Sequence, residues 1–260
     1  MPLPQPVGFT TSDGVALHGL HWDVGVRDVG CVVAHGFTGS SRIPAVQAIC
    51  RALAAAGCGV LAVDLRGHGR SGGRSTLGAD EIHDVAAAVD WMRARGYHRV
   101  AVLGWSMGGS IVLRYAGLGG SADAVVSVSS PGRWYERGTR PMRIVHWMFE
   151  KRLGRLTTRV WRRTRIAAGG WVVVPEAPAE VVGAISPRPL LVVHGAADHY
   201  FPMSHVEALA AAAPTAKVWI EPAMGHAEAA TTADLVGRIA AWVLDASGVR
   251  TPVCDDDGRE

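Results

Sequence analysis

Ser106 stands in Gly104-Trp105-Ser106-Met107-Gly108-Gly109, between an apolar run that ends at Leu103 and a stretch of helical pattern from about Met107 to Ala116. A serine at so tight a strand-to-helix turn is lifted clear of its sheet, and glycine is required on either side because a side chain there would clash. The start of the helix adds unpaired N–H groups and the positive end of a dipole, both suited to an oxyanion. A serine hydroxyl is a poor nucleophile until a base within hydrogen-bond reach takes its proton, and histidine, with an ordinary pKa of about 6.5, fits that task. Eleven histidines compete for the role.

The elements that must position this serine are read from periodicity. Apolar β-branched runs alternate with alanine-rich helical stretches, which predicts parallel strands joined by crossover helices. Residues 7–12 and 15–22 flank Ser12-Asp13-Gly14 and predict an antiparallel hairpin at one sheet edge. Buried strands follow at Cys31–His35, Gly59–Leu65, Arg99–Leu103, Ala124–Val128, Pro189–Val193 and Ala216–Glu221. Helices are predicted at Ile43–Ala56, Ala79–Arg95, Met107–Ala116 and Ser204–Ala213. About sixty residues separate the fourth and fifth of those strands, too many for a bare connection, and they predict a cap. Within it Val145, Phe149, Leu153, Leu156 and Val160 recur at spacings of three and four, which predicts one helix with a shared apolar face.

Three motifs in chain order resemble those of the α/β-hydrolase family: His35-Gly36-Phe37-Thr38-Gly39, Asp64-Leu65-Arg66-Gly67-His68-Gly69-Arg70-Ser71, and the Ser106 turn itself. The first looks most like small bacterial carboxylesterases and monoacylglycerol-lipase-like or lysophospholipase-like enzymes. The resemblance spans residues 8–245 and implies an α/β-hydrolase fold. Its sheet would be eight-stranded and mostly parallel, with helices on both faces and a short helical cap after strand 6. The expected division is a core of 1–130 and 186–250, a cap of 131–185 and a disordered tail of 251–260. It also implies His226, in Ala223-Met224-Gly225-His226, as general base. The orienting acid should close one of two strands. The strand ending Ser129-Ser130-Pro131 offers none, and the next reaches Asp198 in a segment resembling the family's. The oxyanion hole falls by position on the backbone N–H groups of Met107 and Phe37. Asp64 is a second acid in a motif that the family uses structurally, as are His35 and His68.

At 48% apolar and 19% charged residues the composition suits one compact domain and excludes a disordered or collagen-like chain. The charge is uneven: residues 133–165 carry 11 Lys and Arg against Glu136 and Glu150, so this stretch is +9 in a chain of net +3. Three readings of that basicity stay open: a solvated helix face, attraction of an anionic substrate or lipid surface, or contact with a coenzyme A phosphate. Cys31, Cys50, Cys58 and Cys254 lack the spacing of a disulfide framework or a zinc site. With no apolar run long enough to span a bilayer and no leader pattern, a cytoplasmic enzyme is expected, without cofactor, metal, nucleic-acid partner or stable membrane anchor. Cap aromatics and Met148 give the pocket an apolar character, and Trp105, Trp134, Trp147 and His199 are candidates for its lining. Cleavage of small-molecule carboxylic esters through an acyl-enzyme leads. Thioesterase or C–C-bond hydrolase chemistry, and a non-catalytic ligand-binding protein of the same fold, remain the alternatives. A serine nucleophile argues against epoxide hydrolase and haloalkane dehalogenase chemistry, which use aspartate.

Overall fold

A computed structural model describes residues 2–249, so the tail expected at 251–260, with Cys254, lies outside the described residues. One eight-stranded sheet runs through it, with strands β1 (Gln5–Thr10), β2 (Ala16–Trp22), β3 (Val29–Ala34), β4 (Gly59–Asp64), β5 (Arg99–Trp105), β6 (Ala124–Val128), β7 (Leu190–Gly195) and β8 (Lys217–Glu221). Their spatial order is β1-β2-β4-β3-β5-β6-β7-β8. The β1–β2 and β2–β4 pairs are antiparallel and all others parallel. β3 to β7 are buried or nearly so along their length, as strands covered on both faces must be.

The helices are α1 (Pro44–Ala55), α2 (Glu81–Arg93), α3 (Met107–Gly117), α4 (Arg140–Glu150), α5 (Arg152–Trp161), α6 (Pro178–Val181), α7 (Ser204–Ala212), α8 (Ala227–Ala230) and α9 (Ala233–Ala246). Strand alternation sends side chains to two apolar layers. Val32 and Ala34 join Val85 of α2, Ile111 of α3 and Leu209 of α7, whereas Cys31 and Val33 join Ile49 of α1 and Ile239 of α9. Two polar anchors inside α2 escape the apolar pattern. Asp84 is buried and takes hydrogen bonds from the Arg66 backbone and guanidinium at 2.7 and 2.8 Å. Glu81, also buried, accepts from Ser75, Thr76, Leu77 and Gly78 and so shapes the loop that precedes the helix.

Between β6 and β7 the expected single long helix is two. Lys151 has extended backbone (φ −93°, ψ 141°) and serves as C-cap of α4 and N-cap of α5. The Arg155 guanidinium donates to the Phe149 and Glu150 carbonyls at 2.9 Å, meeting the needs of the α4 end without further helix. Only Val145 and Phe149 of the predicted face turn toward the interior cavity, while Leu153, Leu156 and Val160 are exposed. The segment is tied down at both ends. Thr139, the N-cap of α4, donates to the Tyr200 carbonyl at 2.9 Å, and Ser75 pairs with Ile166 as an isolated parallel bridge.

Candidate active site

The turn between β5 and α3 holds Ser106 at φ 51° and ψ −117°, a conformation that costs a non-glycine residue energy and persists only where its surroundings impose it. A Cβ at Gly104 would run into the Gly108 carbonyl, and one at Gly108 into the Ala34 carbonyl, so both glycines are sterically required. The Ser106 N–H donates to the Val128 carbonyl at 2.9 Å, and its own carbonyl accepts from the Ser110 N–H at 3.1 Å. The hydroxyl is thereby fixed at the C-terminal edge of the parallel sheet, beside the start of a helix.

His226, just before α8, and Asp198, in the loop after β7, meet Ser106 there. The serine Oγ lies 2.9 Å from His226 Nε2, and His226 Nδ1 lies 2.8 Å from Asp198 Oδ2. With Nδ1–H donating to the carboxylate, Nε2 is free to accept the serine proton. The second carboxylate oxygen of Asp198 accepts the backbone N–H groups of Tyr200 and Phe201 at 2.8 and 3.2 Å. Burial works against the charge of Asp198, but the His226 bond and these two donors outweigh it, and its pKa falls below the ordinary carboxylate value. Tyr200 stacks on the His226 ring, centroids 4.1 Å apart, while Phe201 meets it at an angle of 65°. Neither aromatic stood out in the sequence as a site residue, because their relation to His226 exists only once β7 and the β8 loop are neighbours.

The Met107 N–H belongs to the first residue of α3 and has no partner inside the helix. Neither it nor the Phe37 N–H is taken up by another described residue. The adjacent Gly36 N–H donates to Glu228 Oε1 at 2.6 Å, and the Gly36 carbonyl accepts from His35 Nδ1 at 2.8 Å. Glu228 thus holds the loop that carries Phe37. It is 192 positions away in sequence, in a four-residue helix with no apolar periodicity, so nothing local marks it. Asp64 is occupied elsewhere, accepting from the Ser41 and Arg70 N–H groups at 2.7 and 3.0 Å. His68 donates to the Arg66 carbonyl, and His205 bridges the Gly132 N–H and Glu136, so neither reaches Ser106.

A cavity of about 670 Å³ opens over Ser106, and its wall is predominantly apolar. Trp134 and His199 line it, as do Tyr135, Met148, Phe149 and Trp171. Trp105 and Trp147 do not. Trp105 alternates to the opposite side of β5, where it is fully buried and donates to Thr231 Oγ1 at 3.0 Å. Trp147 lies on the outer side of α4, where it is exposed. The break at Lys151 likewise leaves Trp161 facing outward. Among the described residues no group of three or more His, Cys, Asp or Glu is arranged to hold a metal, and no described helix is long and apolar enough to cross a membrane.

Residues 32–153 match the family model of the alpha/beta hydrolase fold. Among curated proteins none matches the sequence. Solved structures similar to the chain include Pyrococcus furiosus esterase Pf2001 (23% identity, TM-score 0.72), with 94% of this chain and 92% of that one covered. Est1E of Butyrivibrio proteoclasticus, solved with ferulic acid, is 20% identical with a TM-score of 0.64 over 94% of this chain and 100% of its own. XC6422 of Xanthomonas campestris, an a/b serine hydrolase without a lid, is 19% identical with a TM-score of 0.62 over 96% and 95%. Sheet order, the strained serine turn and these likenesses agree: the chain is an α/β-hydrolase-fold protein.

Proposed function

We propose that this protein is a serine hydrolase of carboxylic esters, working through an acyl-enzyme. The observation that carries this reading is the unbroken relay from Ser106 Oγ through His226 to Asp198, at 2.9 and 2.8 Å. Ser106 Oγ attacks the ester carbonyl while His226 Nε2 takes its proton, and the charge that develops on the carbonyl oxygen falls to the Met107 and Phe37 N–H groups. One such preorganised donor is worth about 3–4 kcal/mol of transition-state stabilisation. The tetrahedral intermediate collapses, the C–O bond to the alcohol breaks, and His226 returns the proton to the leaving alkoxide. Water, deprotonated by the same histidine, then attacks the acyl-enzyme and releases the acid. Asp198, ionised and buried, stabilises the imidazolium formed in both halves.

The apolar cavity wall favours an acyl chain or aryl group over a charged or peptide substrate. The similar solved structure of the Pyrococcus furiosus esterase Pf2001 supports the same reading. The test is turnover of a chain-length series of nitrophenyl esters beside the matching acyl thioesters. Sustained release of nitrophenol, lost in Ser106→Ala, is expected. A single burst without turnover would indicate a ligand-binding protein, and preference for thioesters at every length would reassign the substrate.

A further inference from the structure

Helix α5 is amphipathic in an inverted sense: its small residues face the protein and its large apolar ones face solvent. Gly154 and Thr158 are buried, and a Cβ at Gly154 would collide with the Trp147 carbonyl, so the helix leans on α4 through its smallest face. Leu153, Leu156 and Val160 are 62%, 56% and 62% exposed, and Trp161 is 81% exposed at the helix end. At about 100° per residue the three aliphatic side chains occupy one narrow arc. Arg152 and Arg159 fall on the strip beside it, and Arg163 follows just past the end. No carboxylate among the described residues lies within ion-pair reach of these three arginines. The helix itself contains no acid, and it sits in the +9 stretch of the chain.

We infer that α5 docks the protein on an anionic phospholipid surface, with Leu153, Leu156, Val160 and Trp161 in the interfacial layer and Arg152, Arg159 and Arg163 on the lipid phosphates. A convex apolar stripe bordered by arginines, with a tryptophan at its edge, matches the chemistry of a bilayer interface. Charge decides among occupants. A second copy of the chain would set one +9 segment against another, and a nucleic acid would gain nothing from burying three aliphatic side chains. Ile144, half exposed on α4, and Arg162, just beyond α5, also line the cavity over Ser106, so the docking face adjoins the cavity rim. Docking rests on this surface and not on the serine chemistry.

The experiment is co-flotation of the full protein with vesicles of phosphatidylcholine alone and of phosphatidylcholine mixed with phosphatidylglycerol. The wild type should bind the mixed vesicles preferentially and lose most but not all of that binding as salt is raised, because a surface potential is screened beyond roughly 10 Å at 0.1 M. Replacing Arg152, Arg159 and Arg163 by Gln should weaken binding roughly tenfold or more, because each basic side chain held near an anionic surface adds its own share of the attraction. Replacing Leu153, Leu156 and Val160 by Ser should abolish the fraction that survives high salt, with an unchanged melting midpoint showing that the fold is intact. Ser106→Ala should bind like wild type, which separates docking from the proposed hydrolysis. Equal or absent binding of wild type to the two vesicle types overturns the inference. So does either triple variant binding as wild type, or sedimentation showing a dimer that replacement of Leu153, Leu156 and Val160 by Ser dissolves.

Discussion

At the scale of single residues the serine relay depends on one tautomer of His226, which the Asp198 carboxylate selects by accepting from Nδ1. Asp198→Asn should therefore lower kcat by about 10³–10⁴ with the protein still folded, measured on a short nitrophenyl ester. Glu221, which closes β8 shortly before His226, is paired with Arg238 at 2.7 Å, so near-normal activity of the Asn variant would contradict the assignment directly. Glu228 acts one step further out. Glu228→Ala should free the Gly36 peptide and reduce kcat with little change in KM, by roughly tenfold, whereas Glu228→Gln keeps an acceptor oxygen and should restore most of the rate. Equal loss in both variants would mean that the negative charge, not the hydrogen bond, matters. Ser106 was legible because its strand, glycines and helix are contiguous. Glu228 and Tyr200 were not, since they act on partners that the chain reaches only through folding.

At the scale of elements, strands and crossover helices followed their apolar periods closely, from the edge hairpin to α7. The pattern misled where periodicity had no core to face. Val145 to Val160 keep a helical spacing, yet the chain breaks at Lys151 because Arg155 caps α4, and the second half of the stripe turns to solvent. Gly154 is the joint that keeps α5 against α4. Gly154→Ala gains up to about 1 kcal/mol of helix propensity. It also drives a methyl into the backbone carbonyl of Trp147, which cannot rotate aside, and overpacking of this kind costs about 1–3 kcal/mol. The expected result is net loosening, seen as faster proteolytic cleavage between residues 140 and 161. Protection equal to wild type would show that the two helices separate at no cost. Trp105 and Trp147 misled for a related reason: chain proximity to a site says nothing about which side of a strand or helix a ring leaves from.

At the scale of the whole molecule, both faces of the sheet are sealed by helices, and several histidines are enclosed with it. Burial lowers His21 to about 4 and His68 to about 3, the latter aided by neighbouring His35, and burial likewise lowers His194. The folded protein keeps His21 and His68 neutral in mild acid, whereas in the unfolded chain they take up protons near pH 6.5, so the unfolded state binds more protons below that value. Stability should therefore hold above about pH 6.5 and fall as the pH drops toward 4, by up to about 1.4 kcal/mol per pH unit for each of these two histidines. Asp198, with its lowered pKa, contributes in a separate window: its stabilisation is present above the ordinary carboxylate value and is lost only at lower pH. Thermal midpoints across pH 4–8 check this, and a midpoint flat down to pH 5 would contradict it. What the architecture as a whole achieves is to bring three loops, after β5, β7 and β8, to one sheet edge around a strained serine, with Ser106 and His226 meeting across 120 positions of chain. The measurement closest to that claim is the site of covalent labelling by a fluorophosphonate probe, mapped by peptide mass. The account predicts a single adduct on Ser106, absent in Ser106→Ala and strongly slowed in His226→Ala, whereas labelling of another serine, or none in the intact wild type, would contradict it.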